Sequence, residues 1–313
     1  MGVDLKSILV KDTIKLDELK GKVITIDASN ILHQFLSTIR KPDGTPLTDS
    51  QGNVTSHLIG LFYRTLKMMR EFSVKPVYVF DGEMPDLKTD VVEERAERRR
   101  EAKEKWSKAK QVGKDEKAFK EAVKTGFLDD QMIKDAKLLL NNMGLPTVQA
   151  PGEAEAQCAY MTHDEEIYAM NSRDYDSMLF GASKLLRYMT ISNKDNIEII
   201  DLDRFLKHYR ISWAQLVDMG ILIGTDYNEG VFRVGPKTAL KLIKRHGSIE
   251  KIPEKYQKKL DENYADVRKL FRDPPLIEDY SLEFKEINRT GVMQFLCEER
   301  DFPHERVLNN LEK

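Results

Sequence analysis

The sequence lacks the features of membrane, secreted and zinc-binding proteins. It has no apolar run of 18 residues and no apolar N-terminal stretch, so neither a transmembrane helix nor a signal peptide is expected. Only two cysteines occur, Cys158 and Cys297, and neither has a Cys or His nearby at metal-ligand spacing. No disulfide framework and no zinc site are expected. The low cysteine content fits a reducing intracellular compartment.

A strong charge of one sign is also missing, since the net charge at pH 7 is −2. This argues against a simple basic DNA-binding module. The charges are unevenly distributed, however, because residues 95–124 hold 12 Lys and Arg against 6 Asp and Glu. If the seven carboxylates identified below bind metal, the rest of the chain carries +5. A local acidic site in a mildly basic body suits a metal-dependent enzyme that acts on a polyanion.

Short apolar runs alternate with amphipathic stretches, which predicts an α/β fold with a central twisted, mostly parallel sheet flanked by helices. The predicted strands are 22–26, 76–80, 147–149, 167–170, 178–180, 185–190 and, as an edge, 198–200. The predicted helices are 29–39, 57–72, 129–143, 213–223 and 236–246. Residues 88–124 are rich in Lys, Arg, Glu and Ala, which predicts helices that project from the core. A solvated surface hairpin is the plainer interpretation of that composition.

Acidic residues follow the predicted strands where each strand ends. Ligands of open α/β sheets bind beyond the carboxyl ends of the strands, so these acids are expected to converge. A single Asp at such a place is often only the N-cap of the next helix. Four strand ends carry acids, and two of them carry a pair at i, i+2, which capping alone explains poorly. The candidates are Asp27, Asp81, Glu153, Glu155, Asp174 and Asp176, with Asp226 at the end of a helix.

The paired acids restrict the local geometry. Glu153 and Glu155 would point about 200° apart on a regular helix, so one of them is expected in the turn before the helix. Asp174 and Asp176 share a face only if their segment is extended. Like charges packed this closely require counter-ions, and hard Mg²⁺ or Mn²⁺ fits carboxylate and water ligands. Two such ions about 3.5–4 Å apart can promote attack of water on a phosphodiester.

Several motifs together resemble the flap endonucleases, which are XPG-type structure-specific 5′ nucleases. The stretches VITIDAS, PVYVFDG, APGEAEAQCAYM, SRDYDSMLFG and LIGTDYNEG occur in the order and approximate spacing of that family. The opening MGVDLKSILV is also similar, and residues 40–46 and 55–65 resemble the archaeal members. Each motif is short, but their shared order over nearly the whole chain is specific.

The resemblance implies a single nuclease domain, 1–313, with a PIN-like 5′ nuclease fold. Its parts would be an N-terminal nuclease region at 1–82, a helical arch at 83–130, an internal nuclease region at 131–246 and a C-terminal helical region at 247–313. A helix-three-turn-helix at 213–246 would grip duplex DNA. The implied activity is cleavage of 5′ flaps at the single-strand/double-strand junction, in Okazaki fragment maturation and base excision repair. A 5′–3′ exonuclease activity is also implied.

The resemblance assigns roles to individual residues. The seven acids would hold two Mg²⁺ ions, which Mn²⁺ could replace, and Lys88 and Arg95 would contact the scissile phosphate. The DNA-binding residues implied are Gly2, His33, Arg40, Lys88, Arg95, Arg233, Gly235 and Lys237. A K⁺ ion would be held by the backbone carbonyls of Val231 and Val234, beside Gly230.

This sequence departs from the family pattern at several positions. Arg233 replaces a Gly of the Gly-Ile-Gly turn, which puts K⁺ binding in question, and His33 replaces a Tyr that stacks on a base. The family implies the sliding clamp PCNA as a partner, yet no QxxLxxFF-like motif occurs in these residues. With no heptad seam, a monomer without a membrane partner is expected.

Other functions compete with this one. Asp174-Tyr-Asp176 suggests an aspartyl phosphatase, but that chemistry needs the first Asp directly after a strand and a Thr where Met178 stands. A non-catalytic DNA-junction binder would keep the fold without needing all seven acids. Exonuclease and bubble endonuclease activities use the same acids, and the short arch favours the flap type.

Overall fold

The computed structural model describes residues 2–83, 97, 100–108 and 125–312. Its strands are β1 Asp12–Ile14, β2 Val23–Asp27, β3 Lys75–Phe80, β4 Thr147–Gln149, β5 Ile167–Asn171, β6 Lys184–Arg187 and β7 Ile197–Asp201. Its α-helices are α1 Ala28–Thr38, α2 Ser56–Phe72, α3 Asp130–Asn142, α4 Ala154–Met161, α5 Asp176–Leu179, α6 Leu202–Tyr209, α7 Trp213–Ile223, α8 Pro236–His246, α9 Glu254–Gln257, α10 Tyr264–Arg272, α11 Arg289–Met293 and α12 His304–Glu312. Lys88, Arg95 and most of the predicted arch lie outside the described residues.

The strands form a mixed sheet flanked by helices, in the order β1-β7-β6-β5-β2-β3-β4. β2 pairs with β5 and β5 with β6 in parallel. β7 pairs with β6 and with β1 in antiparallel fashion. Residues 188–196 join β6 to β7, a connection too short for the crossover that parallel strands require, so this part of the sheet is antiparallel.

The chain divides into two compact units. Unit 1 comprises residues 1–27, 81–91 and 149–278, and unit 2 comprises residues 28–80, 92–148 and 279–313. In unit 1, fully buried Ile24, Met170 and Leu185 come from three neighbouring strands, each rich in apolar residues. In unit 2, fully buried Leu61 of α2 and Leu139 of α3 lie on the apolar faces of those helices. Whether the two units behave as one nuclease domain stays a prediction.

Each unit contains one of the two tryptophans. Trp213 begins α7 in unit 1, and its indole N–H donates to the Leu179 carbonyl at 3.0 Å. Trp106 lies in unit 2, where its indole N–H donates to the Asp43 carbonyl at 3.3 Å. Both rings are thereby tied to the backbone of their own unit.

Most predicted elements are confirmed, and α7 and α8 have the predicted bounds. The predicted strand at 178–180 is wrong, because Asp176–Leu179 forms a helical turn in which Met178 and Leu179 are completely buried. A run buried on every side shows no helical or strand period in sequence. The predicted edge at 198–200 is also wrong, since β7 lies between β1 and β6. Among the described helices, none is long and apolar enough to cross a membrane.

Candidate active site in unit 1

Main-chain hydrogen bonds join the segment after β3 to the segment before α4. Gly82 N–H donates to the Gly152 carbonyl at 2.7 Å, and Glu83 N–H donates to the Pro151 carbonyl at 3.2 Å. A Cβ at Gly82 would lie only 2.3 Å from the carbonyl oxygen of Ala150, so this close approach requires glycine. The pairing brings Asp81 beside the start of α4, where its Oδ1 accepts the Ala154 N–H at 2.8 Å.

The two glutamates of the APGEAEAQCAYM motif take different backbone conformations. Glu153 is the extended N-cap residue of α4, and Glu155 lies in the first helical turn. The sequence-based expectation that one of them precedes the helix is confirmed. Glu153 is buried and accepts a hydrogen bond from the Tyr227 hydroxyl. Glu155 Oε1 accepts hydrogen bonds from Ser177 and, at 3.0 Å, from Ser172.

The segment after β5 carries Asp174 and Asp176. The Asp174 N–H donates to the Ser172 hydroxyl at 3.1 Å, and Asp176 begins the short helix α5. The segment is therefore not extended. An extended segment would have been required for Asp174 and Asp176 to share a face through strand geometry. Buried Arg187 supports this segment by donating two hydrogen bonds to the Arg173 carbonyl, at 2.9 and 3.1 Å.

The N-terminal segment closes against the same carboxylates. Val3 N–H donates to Asp176 Oδ1 at 2.7 Å. A Cβ at Gly2 would meet the Asp176 carboxylate at 3.0–3.2 Å. A residue larger than glycine at position 2 would therefore crowd Asp176, and the DNA contact of Gly2 stays a prediction.

Burial and like charges act together on Glu155. Its pKa is raised well above the ordinary value, first by burial and then by Asp176, Asp174 and Asp27. Burial also raises the pKa of the Cys158 thiol, and Asp27, Glu155 and Asp81 raise it further. Asp27 raises the pKa of both groups, so Glu155 and Cys158 lie in one acidic region of unit 1. Asp226 belongs to the loop after α7, and its neighbour Tyr227 holds Glu153 in this region.

This donor set suits hard divalent cations. The oxygen ligands are carboxylates, and the like charges around half-buried Glu155 favour a cation. Within the described residues, no three His, Cys, Asp or Glu side chains form a group with the spacing of a single metal centre. The metal-ligand role of the seven acids therefore stays a prediction, supported by donor chemistry and charge.

Three hydroxyl groups that orient the acids were not predicted from sequence. Ser172 and Ser177 hold Glu155, and Tyr227 holds Glu153. Ser172 and Ser177 lie inside the SRDYDSMLFG motif, and Tyr227 directly follows Asp226. Their only signal was adjacency to acids, which does not distinguish an orienting hydroxyl from a solvated one.

Tyr227→Phe tests the orienting role of the phenol. The variant should lower kcat/KM for DNA cleavage by about 10–100-fold and raise the Mg²⁺ concentration needed for half-maximal rate, because Glu153 loses its donor. Tyr209→Phe is the matched control, since it removes a hydroxyl that donates to the Ile8 carbonyl at 2.7 Å. An unchanged Mg²⁺ requirement in Tyr227→Phe would contradict the role.

The predicted DNA-binding residues have varied environments. His33 is half-buried in α1 of unit 2. Arg40 donates to its own segment, through Nε to the Leu36 carbonyl at 2.8 Å and through Nη1 to the Gly44 carbonyl at 3.0 Å. Burial lowers the pKa of Arg40. The Arg40 guanidinium thus stabilises the turn between Leu36 and Gly44 in unit 2. A DNA contact by Arg40 stays a prediction.

In unit 1, three further residues with a predicted DNA contact lie in the loop between α7 and α8 and in the first turn of α8: Arg233, Gly235 and Lys237. Gly235 is the extended N-cap of α8, and Lys237 is exposed in its first turn. The Val231 carbonyl, one of the predicted K⁺ ligands, accepts the Val234 N–H at 2.9 Å.

Known proteins match this chain over the segments that contain the motifs described above. Family models match the XPG N-terminal domain over residues 1–102 and the XPG I-region over residues 144–226. Flap endonuclease 1 of Thermococcus onnurineus is 45% identical, over 100% of this chain and 94% of that protein. The structure of flap endonuclease-1 from Methanococcus jannaschii is 33% identical with a TM-score of 0.78, covering 99% of this chain and 97% of that one. The catalytic core of Rad2 in complex with DNA substrate is 26% identical with a TM-score of 0.72, covering 96% of each chain.

Proposed function

This chain belongs to the flap endonuclease family, and we propose that the seven carboxylates of unit 1 hold two divalent cations, Mg²⁺ in the first place. The chain is a structure-specific 5′ flap endonuclease, a metal-dependent phosphodiester hydrolase that acts on DNA. It keeps an acid at each of the seven positions. The observation that supports the site best is the raised pKa of Glu155, to which three other predicted ligands contribute.

Different residues of the chain have different proposed roles in hydrolysis. Asp27, Asp81, Glu153, Glu155, Asp174, Asp176 and Asp226 would hold the cations, which when bound supply charge stabilisation and an activated water. Ser172, Ser177 and Tyr227 donate hydrogen bonds that orient Glu155 and Glu153. The Ala154 and Val3 amides orient Asp81 and Asp176. Lys88 and Arg95 remain proposed contacts of the scissile phosphate.

Cleavage of a labelled double-flap DNA tests the metal mechanism. With Mg²⁺ the 5′ flap should be released near the junction, leaving a 5′-phosphate and a 3′-hydroxyl that DNA ligase can seal. With EDTA in place of Mg²⁺ the cut should disappear and return when Mg²⁺ is restored. Equal cutting in both tubes would reject the metal mechanism, and a product that ligase cannot seal would reject the position of the cut.

The proposal also includes an exonuclease activity, a K⁺ ion, a protein partner and an oligomeric state. Exonuclease action from a 5′ end would use the same acids. A K⁺ ion at the carbonyls beside Gly230, the sliding clamp PCNA as a partner, and a monomeric state rest on the family resemblance. Gel filtration with light scattering would settle the last of these directly.

A further inference from the structure

The Arg187 guanidinium uses all five of its N–H groups inside unit 1. Arg187 is the last residue of β6 and is 4% exposed. Its Nε and Nη2 both donate to the Arg173 carbonyl, at 3.1 and 2.9 Å. Nη1 donates to the Tyr175 hydroxyl and to Glu198 Oε2, the latter at 3.0 Å. Nη2 also donates to the Tyr188 hydroxyl at 3.2 Å, so no N–H group is left for solvent or for DNA.

The partners of Arg187 fix the guanidinium at the end of β6. Its central carbon lies 3.9 Å from the centroid of the Tyr175 ring and 4.7 Å from that of Tyr188. Glu198 is the register partner of Arg187 in the pairing of β6 with β7, so the ion pair is part of the sheet. Tyr188 has a left-handed backbone, φ +59°, a conformation that a tyrosine keeps only where the surrounding contacts enforce it.

Arg187 holds one particular peptide group, which joins Arg173 to Asp174. The carbonyl of this group accepts both hydrogen bonds from Arg187, and its N–H donates to the Ser172 hydroxyl at 3.1 Å. The same Ser172 hydroxyl donates to Glu155 Oε1 at 3.0 Å. Because the peptide group is bound on both sides, it cannot flip, and the backbone of Asp174 stays fixed relative to Glu155.

We propose that Arg187 is a positioning residue of the cation site, an inference that rests on the metal-dependent function proposed above. Arg187 binds the Arg173 carbonyl and the Tyr175 side chain. It thereby holds the acids on either side of Tyr175, Asp174 and Asp176, in place before a cation binds. Ligands that are already ordered need no rearrangement on binding, so Arg187 should increase the affinity for divalent cations rather than the rate of the chemical step.

Cation binding by Arg187→Lys tests this role. Lysine keeps the positive charge beside Glu198 but has only three N–H groups, all on one nitrogen. The Mn²⁺ dissociation constant is measured without DNA from the electron paramagnetic resonance signal of free Mn²⁺. It should rise by about 10–100-fold, the usual effect of losing a residue that orients a metal ligand. The Mg²⁺ concentration for half-maximal single-turnover cleavage of a double-flap DNA should rise by a similar factor.

Two quantities should change little in Arg187→Lys. The cleavage rate at saturating Mg²⁺ should stay close to that of the parent, because the acids themselves are intact. The affinity for flap DNA in EDTA should be unchanged, because Arg187 is buried. A folding defect would reduce both quantities, whereas a positioning role changes only the cation requirement.

Arg268→Lys is the matched control. Arg268 of α10 is also an arginine of unit 1 that bridges two carboxylates, Asp218 at 2.8 Å and Glu250 at 2.5 Å. Neither carboxylate is a predicted cation ligand. Both lysine variants should lower the melting temperature, but only Arg187→Lys should raise the Mn²⁺ dissociation constant.

A pair of tyrosine variants tests the role without changing any charge. Tyr175→Phe and Tyr188→Phe each remove one hydroxyl that accepts a hydrogen bond from Arg187. Only Tyr175 lies between the two acids, so only Tyr175→Phe should weaken Mn²⁺ binding, by about 2–10-fold, the effect of one hydrogen bond. Equal Mn²⁺ affinity in the two variants would overturn the positioning role even if Arg187→Lys failed to fold.

The outcomes distinguish this inference from the function on which it rests. If the parent binds Mn²⁺ and cuts flap DNA only with a divalent cation, an unchanged Mn²⁺ dissociation constant in Arg187→Lys overturns the positioning role and leaves the nuclease intact. A parent that cuts flap DNA equally well in EDTA overturns the metal-dependent function itself.

Discussion

Glu155→Gln should reduce the rate of 5′ flap cleavage by about 10³-fold or more. The substitution keeps the shape of the side chain and its two serine donors but removes the negative charge of a carboxylate whose pKa is raised by burial and by Asp176 and Asp174. Loss of a cation ligand removes several kcal/mol of transition-state charge stabilisation, and about 4 kcal/mol corresponds to a factor of about 10³. Single-turnover rates with Mg²⁺ and a double-flap DNA measure the effect.

Two further measurements show whether the loss reflects the cation site or a folding defect. In EDTA, Glu155→Gln should melt at the same or a higher temperature than the parent, because a repelled charge has been removed. The rise of melting temperature with added Mg²⁺ should be smaller in the variant. Glu165→Gln is the control, since it removes an exposed carboxylate from the loop after α4. Cleavage by Glu155→Gln within tenfold of the parent would exclude Glu155 as a ligand.

Acid should weaken unit 2 through His57. This residue is completely buried in α2, and neither ring nitrogen has a hydrogen-bond partner among the described residues. Burial lowers its pKa from 6.5 to about 4, although Asp135 and Asp129 act in the opposite direction. The folded state therefore holds the neutral ring, and the unfolded state takes up a proton first.

The sign of the pH dependence follows from these two pKa values. The contribution that neutral, buried His57 makes to the stability of unit 2 is fully present above pH 6.5. It declines as the pH falls below 6.5 and is lost near pH 4. The shift corresponds to about 3 kcal/mol of unfolding free energy. Urea unfolding of His57→Leu should show correspondingly less loss than the parent between pH 7.5 and 4.5. His304→Leu removes an exposed histidine of the same unit and should keep the parent's pH profile. Parallel pH profiles for the parent and His57→Leu would contradict this account.

Local periodicity predicted helices α7 and α8 well. Helices α7 and α8 have strong end signals, including the Ser212 N-cap, Pro236 in the first turn of α8 and Gly247 after its last residue. Strand β1 was missed because two of its three residues are exposed and it has no apolar pattern. The antiparallel part of the sheet was missed because strand direction depends on tertiary pairing.

The acids of the candidate site were proposed from sequence, whereas the hydrogen-bond donors that orient them were not. Strand ends and colinear motifs pointed to Asp27, Asp81 and the paired acids. The donors that orient them come from distant segments, as with Val3 on Asp176 and Tyr227 on Glu153. Such contacts have no local signature, because any serine, tyrosine or backbone amide near an acid in the fold can make them. Arg233 was noticed as a departure in sequence, but its left-handed backbone and the exposure of Phe232 emerged only in the structure.

The distribution of tryptophan gives each unit its own intrinsic fluorophore. Trp213 reports on the backbone that follows Asp174 and Asp176, and Trp106 reports on the turn around Asp43. Replacing either indole by Phe leaves a single tryptophan, so selective excitation of that indole follows the denaturation of its own unit. The order in which the units lose structure is therefore optically accessible without any attached dye.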